Sequence, residues 1–365
     1  MSTTPSATPL LWISGAPGTG KTTTGWRVFE LLTEAGGNAA YVDIDQLGLL
    51  GPFDRLTGTA PHVVKAENAH RLIDALRASG LRQMIISGIV DPDTGAPRFG
   101  SGGAPSAIDL THLRLRCDWP ELRRRYLDRG SPPDTLDDLE EVARQYDRSA
   151  ADTVDTTELG VDELARSLIA QHCAVSPSTW IVQPTAGAAP LPTTVLYGAT
   201  AVGKSTIGWE LVRRRWAAGR ATAFIDVGQL GFHGPGYDRT VHTAAYVALT
   251  RGYQDAGAED LIVVTRDPEL ILDAHLDGVT TVLLDASPDA LGTRIGLRSR
   301  ESTGRLPGDE ILGANPARQR LLAAQEHREA ERFRRNGGHT VAVDTADTNP
   351  EDVVERIERN TARHE

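Results

Sequence analysis

Two stretches of this 365-residue chain match in constant register, 183 positions apart. Gly15, Lys21, Trp26 and Asp43 correspond to Gly198, Lys204, Trp209 and Asp226, and Gln46-Leu47-Gly48 to Gln229-Leu230-Gly231. Gly51-Pro52 corresponds to Gly234-Pro235. After a one-residue insertion Phe53-Asp54-Arg55 pairs with Tyr237-Asp238-Arg239, and Asp91-Pro92 and Val154-Asp155-Thr156 find partners in Asp267-Pro268 and Val343-Asp344-Thr345. A series of matches in order over half a chain predicts two tandem copies of one fold. Residues 8–173 are expected to form the first domain and 193–365 the second. Between them 174–192, rich in Pro and Ala, reads as a linker.

Within each copy short apolar runs alternate with helical patterns. Leu10–Ser14 and Thr193–Tyr197 are apolar without alternation and stop at a Gly-rich turn, as strands buried on both faces do. Ala39–Asp43 and Thr222–Asp226 read as second strands. Helices are expected over His62–Ser79 and Thr240–Ala256, and third strands at Gln83–Ser87 and Asp260–Val264. Fourth strands precede Arg-rich helices, and short strands near 153–154 and 340–343 with a terminal helix close each copy. Strand–helix alternation implies an α/β fold with a parallel sheet flanked by helices.

The Gly-rich turns carry the chemistry. Gly15-Ala16-Pro17-Gly18-Thr19-Gly20-Lys21-Thr22, extended by Thr23, fits G-x-x-x-x-G-K-[ST]. So does Gly198-Ala199-Thr200-Ala201-Val202-Gly203-Lys204-Ser205, extended by Thr206. Glycines let the backbone curl so that successive N–H groups face phosphate oxygens. The helix that follows presents its positive end, the lysine reaches the β and γ phosphates, and the Thr or Ser hydroxyl ligates Mg²⁺. Only three of the 38 basic residues are lysines, Lys21, Lys65 and Lys204, and two of these close the loops. ATP and Mg²⁺ are the cofactors this pattern calls for. The guanine-reading N-K-x-D, the Asp-Glu strand end of motor ATPases and the LSGGQ of transporter ATPases are all missing from the chain.

With these loops in place, each copy resembles the small-molecule and nucleotide kinase group: shikimate, gluconate and adenylyl-sulfate kinases, chloramphenicol phosphotransferase and the adenylate kinase relatives. The resemblance rests on the early loop, on Asp43-Ile44-Asp45, and on L-x-x-R-x-x-x-R at Leu122, Arg125 and Arg129 and again at Leu291, Arg294 and Arg298. It implies two P-loop kinase-like domains in tandem. It implies that Thr22 and Asp43, and Ser205 and Asp226, hold the metal, and that Asp45 orients or deprotonates an acceptor hydroxyl. Arg125 and Arg129 are implied to close over the transferring phosphoryl group, Arg294 and Arg298 to contact the nucleotide, and Arg55, Lys65 and Asn68 to bind the acceptor. The turns at Asp155-Thr156 and Asp344-Thr345 resemble the adenine side of that group. The whole chain also resembles tandem ATP-binding proteins carrying Y-V-D-x-D-Q-L-G.

The second copy departs from this pattern: Gly228 stands where Asp45 does, and nothing matches Lys65. The first copy is therefore the expected catalytic one, a phosphotransferase for a small hydroxyl-bearing acceptor. The other reading is an ATP-binding regulator or assembly protein without an acceptor. Arg300 and Arg305 enrich the second copy's lid region. The loop Asp91–Asp109 has no counterpart and is expected either to cover an acceptor with Arg98 and Phe99 or to be a plain insertion. Arg144 and Arg148 read as surface helix, Arg213-Arg214-Arg215 as a solvated face, and Trp26 and Trp209 as core or inter-copy packing.

A net charge of −11 opposes broad binding to nucleic acid or to anionic membranes, and no apolar run is long enough to span a bilayer. The first residues lack a signal-peptide pattern, and Cys117 and Cys173 make neither a disulfide framework nor a zinc site. A cytoplasmic location is the expectation.

Overall fold

The computed structural model describes residues 7–56, 60–90, 96–97, 99, 107–148, 151–173, 175, 187–188, 190–233, 238–275, 277–300, 308–338, 340–346 and 348–361. Most of the expected linker, Arg98 with most of its loop, and Arg305 lie outside them. In the first half the elements are β1 (Thr8–Gly15), α1 (Lys21–Glu34), β2 (Ala39–Asp43), β3 (Leu50–Gly51), α2 (Pro61–Ala78), β4 (Gln83–Ser87), β5 (Ile108–Arg116), α3 (Trp119–Asp128), α4 (Leu136–Asp147), β6 (Asp152–Asp155) and α5 (Val161–His172). The second half contains β7 (Thr193–Tyr197), α6 (Lys204–Ala217), β8 (Thr222–Asp226), β9 (Phe232–His233), α7 (Arg239–Asp255), β10 (Asp260–Thr265), α8 (Pro268–Leu272), β11 (Val279–Asp285), α9 (Pro288–Arg298), α10 (Pro316–Asn336), β12 (Val341–Asp344) and α11 (Pro350–Thr361).

One sheet runs β6-β5-β1-β4-β2-β9 and the other β12-β11-β7-β10-β8-β3. All pairings are parallel except the last in each sheet. The strand that opens each half lies inside its sheet, with later strands on both sides. The loop at its carboxyl end therefore sits where a crevice opens in a sheet of this kind. The helices start where local chemistry tells them to. Pro61 opens α2 at a position where its missing N–H costs nothing. The Asp238 carboxylate accepts the Thr240 and Val241 N–H groups at the start of α7.

The outermost strands are exchanged. Strand β3 belongs to the first half by sequence but pairs antiparallel with β8, Leu50 opposite Ala223. Strand β9 answers it by pairing with β2, His233 opposite Ala40. Each half thus covers the other's open sheet edge, the arrangement of an isologous dimer built into one chain. Helices α2 and α7 pack across the same boundary, and Arg71 on α2 pairs with Asp255 on α7 at 2.6 Å. Leu47, Leu50, Leu72 and Leu76 join Val241, Ala245, Leu249 and Tyr253 in one continuous apolar core.

Of the two matched tryptophans, Trp26 packs in the core as expected and Trp209 does not. Trp26 lies against Phe29 and Tyr41 within its own half, and Trp209 is 38% exposed beside Trp216 and Phe224. The tryptophan at the inter-half boundary is the unmatched Trp216, whose ring lies so close to Gly51 that a Cβ there would stand 2.9 Å from it. The arginine run also divides. Arg213 is solvated beside Glu210, Arg214 pairs with Glu358 on α11, and Arg215 reaches the buried Asp260. A helix turns about 100° per residue, so three neighbours cannot share one face.

Candidate active site

Both phosphate loops leave a central strand and enter a helix through a left-handed glycine, Gly20 (φ 94°) before α1 and Gly203 (φ 102°) before α6. Gly15 and Gly198 permit a tight approach: a Cβ on either would fall 2.3 Å from a carbonyl oxygen of the neighbouring strand, that of Leu115 or Leu284. The loops differ in the middle. Gly18 (φ 93°) is matched by Ala201, which accepts a left-handed φ of 64° despite its methyl group.

Lys21 turns its ammonium back to the Ala16 carbonyl at 2.9 Å, and Lys204 bonds the Gly198 and Ala199 carbonyls at 2.9 and 2.8 Å. Burial pushes Lys21 down to about 8. Asp43 and Asp45 oppose that shift and Arg129 adds to it, so all three charges act on the lysine. Burial likewise brings Lys204 to about 8, with Arg266 adding to the shift and Asp226 and Glu326 opposing it. A half-buried cation whose hydrogen bonds go only to backbone carbonyls suits a loop able to receive a polyanion.

Thr22 donates to Asp43 Oδ2 at 2.9 Å, and Ser87 at the end of β4 donates to the same oxygen at 3.1 Å. The Asp43 carboxylate is held above its usual range, first by burial and then by Asp45. Ser205 and Asp226 repeat the contact at 2.8 Å, again with the carboxylate raised by burial. A hydroxyl beside a desolvated carboxylate is a hard-oxygen pair of the kind Mg²⁺ takes, with waters filling its other positions. Both pairs therefore fit the metal that the loop sequence implies.

One turn beyond β2, Asp45 lies open to solvent and receives the Lys65 ammonium at 2.5 Å. The lysine stem crosses the backbone at Gly48, where a Cβ would meet Lys65 Cγ at 2.4 Å. Gly48 has an ordinary φ of −120°, so its glycine is required by this crossing and not by the turn. Gly48→Ala is expected to leave the urea midpoint unchanged while displacing Lys65. Equal ligand-binding behaviour of the Gly48→Ala and Lys65→Ala proteins, with unfolding midpoints equal to the parent's, would check this.

The two arginines of each late helix have different work. Arg125 is fully engaged: it donates to Glu121 at 2.6 Å and to the Thr156 hydroxyl and carbonyl at 3.1 and 2.8 Å. Arg294 does the same with Thr345 and the Val202 carbonyl. Both tie the late helix to the Asp-Thr turn. One turn further on, Arg129 donates to the Ser131 hydroxyl at 2.9 Å and Arg298 to Asp309 at 2.7 Å, and their charges reach Lys21 and Lys204.

Two expected acceptor residues lie elsewhere. Asn68 is completely buried on α2, donates to the Leu47 carbonyl at 2.7 Å, and faces Gly252 of the other half. Arg55 reaches across to Gly219, its guanidinium 2.9 Å from where a Cβ would stand. Both serve the boundary between halves. Phe99 is buried edge-on against Trp12 with ring centroids 5.6 Å apart, so it packs the core and does not await a ligand. Arg144 stays on the surface beside Glu140 and Glu141. No helix among the described residues is long and apolar enough to cross a membrane.

No protein-family model and no curated protein matches the chain. Solved structures do. The tunicamycin resistance protein of Deinococcus radiodurans is 20% identical over 45% of this chain and 95% of its own, with a TM-score of 0.35. A gluconokinase from Sinorhizobium meliloti is 20% identical over 50% and 95%, TM-score 0.31. The Mycobacterium tuberculosis APS kinase, solved with AMPPNP and APS, is 17% identical over 46% and 98%, TM-score 0.30. Each match spans about half of this chain. The structure itself is that of an α/β protein with two G-x-x-x-x-G-K-[ST] loops, each at the carboxyl end of a strand inside its sheet.

Proposed function

We propose that this chain is a Mg-ATP-dependent phosphotransferase acting on a small hydroxyl-bearing acceptor, with the first half carrying the reaction. The observation that carries this reading is the Asp45–Lys65 pair: it stands beside the Asp43–Thr22 pair, within electrostatic reach of Lys21, and only in the first half. Phosphoryl transfer needs positioning and charge neutralisation more than covalent chemistry. Lys21 and the loop amides hold the β and γ phosphates of ATP. A Mg²⁺ held by Thr22 and Asp43 supplies neutralising charge. Asp45 takes the hydroxyl proton as the acceptor oxygen bonds to the γ phosphorus and the bond to the ADP oxygen breaks. Lys65 fixes the Asp45 carboxylate, and Arg129 offsets the charge that develops on the transferring group.

The test is acceptor-stimulated ATP turnover over nucleosides, sugars, sugar acids and hydroxylated antibiotics. Asp45→Ala is expected to cut turnover with the acceptor so found by about 10²-fold while sparing ATP affinity. Unchanged turnover in that variant, or no acceptor in the panel raising turnover while ATP binds, moves the reading to a nucleotide-binding regulator.

A further inference from the structure

The second loop already holds an anion. Glu326, on α10 and only 2% exposed, accepts the Thr200 backbone N–H at 2.6 Å and the Arg266 guanidinium at 3.1 and 3.3 Å. Its charge also reaches Lys204. Thr200 is the third residue of the loop. The first loop has Pro17 there, which possesses no N–H to offer. Among the described residues of the first half, no carboxylate accepts an N–H of its loop. Where α4 meets the end of β4, the hydroxyl of Tyr146 accepts the Val90 N–H at 3.1 Å. An N–H present only in the second loop, a carboxylate to receive it and an arginine to hold that carboxylate make a device confined to one half.

We propose that Glu326 makes the second loop selective for a nucleoside diphosphate over the triphosphate, its carboxylate standing where the terminal phosphate would otherwise approach Lys204. The inference rests on the reading that these loops hold nucleotide phosphates. The lysine of such a loop serves both β and γ phosphates. A carboxylate sharing that lysine's surroundings and a loop amide leaves the β position available and sets like charge against the γ position. Buried like-charge juxtaposition is strongly unfavourable. A triphosphate must displace Glu326 from Thr200 and Arg266, whereas a diphosphate leaves those bonds intact. The second half thereby responds to the product of the reaction proposed for the first.

The test uses the full chain carrying Lys21→Ala, so that only the second loop keeps its lysine, and measures MgADP and MgATP binding by calorimetry. ADP is expected to bind about tenfold or more tighter than ATP. Adding Glu326→Gln, which keeps the shape and an oxygen for the Thr200 N–H but removes the charge, is expected to bring the ratio close to one. Thr200→Pro, which installs the first loop's residue and removes the donor, is expected to lower the ratio as well and serves if the Gln variant does not fold. ATP binding as tightly as ADP with Glu326 intact overturns the inference. So does a ratio unmoved by the substitution that folds, or binding of neither nucleotide. The first half is read separately from acceptor-dependent turnover of the parent chain; absence of that turnover sinks the function proposed above without touching this inference.

Discussion

Lys21→Ala is expected to lower acceptor-dependent turnover by on the order of 10³-fold, the scale of removing a preorganised charge aimed at a transition state. Lys21 sits in low dielectric, its ammonium parked on the Ala16 carbonyl and 2.9 Å from it. When phosphate oxygens arrive, that ammonium exchanges one backbone acceptor for a polyanion. Folding and function pull in opposite directions at this residue. Burial lowers its proton affinity from 10.5 to about 8, so the folded state disfavours the charge that the proposed reaction requires. Between those two values the unfolded chain holds the extra proton, and this residue's contribution to stability rises with pH there. Below about 8 the buried charge is a full cost to the fold. The Ala variant is accordingly expected to unfold at the same temperature as the parent or above it. Turnover lost together with a large fall in melting temperature would contradict this account.

Gly252→Val is expected to cost about 2–3 kcal/mol of folding stability, the upper part of the range for overpacking a filled interior. A Cβ at Gly252 would stand 1.9 Å from Asn68 Oδ1 and 3.1 Å from Arg71 Cδ. Asn68 cannot retreat, because it has no exposed surface and its amide is bonded to the Leu47 carbonyl. The clash lies between α2 and α7, so the loss is a loss of inter-half packing. Gly292→Ala on α9 provides the control, since a Cβ there meets nothing within 4 Å. That change is expected to be neutral or to stabilise by up to about 1 kcal/mol, as Gly→Ala in a helix interior does. Denaturant titration of both variants measures the difference, and equal midpoints would refute the close α2–α7 packing.

Much of the site was legible in the sequence because its parts are local and repeated. The G-x-x-x-x-G-K-[ST] spacing needs only one strand end and one helix start, and it occurs twice. Asp43 and Asp226 follow their loop hydroxyls by 21 residues in both halves, the length of one helix and the strand after it. The scarce Lys65 stood out by composition, and its partner proved to be Asp45. Arg55 and Asn68 stand at the boundary between halves, Asn68 bonded to the Leu47 carbonyl and Arg55 lying against Gly219, and sequence carried no sign of that placement. Arg125 and Arg129 share a helix face four residues apart, so sequence could not say that one turn separates a structural tie from a charge aimed at the loop. Glu326 left no local signal at all. It is one of three glutamates on a strongly charged helix, distinguished only by burial.

The sequence by itself therefore determined the alternation of strands and helices, the duplicated loops and the metal-type pair beside each, because short-range spacing and apolar patterning act within a few turns of chain. The tertiary structure alone decided that Leu50-Gly51 and Phe232-His233 trade sheets, that α2 and α7 bury polar residues against each other, and that Glu326 reaches Thr200. Those contacts join residues far apart in the chain. Their energy depends on which faces meet once both sheets have formed, and no local pattern carries that information.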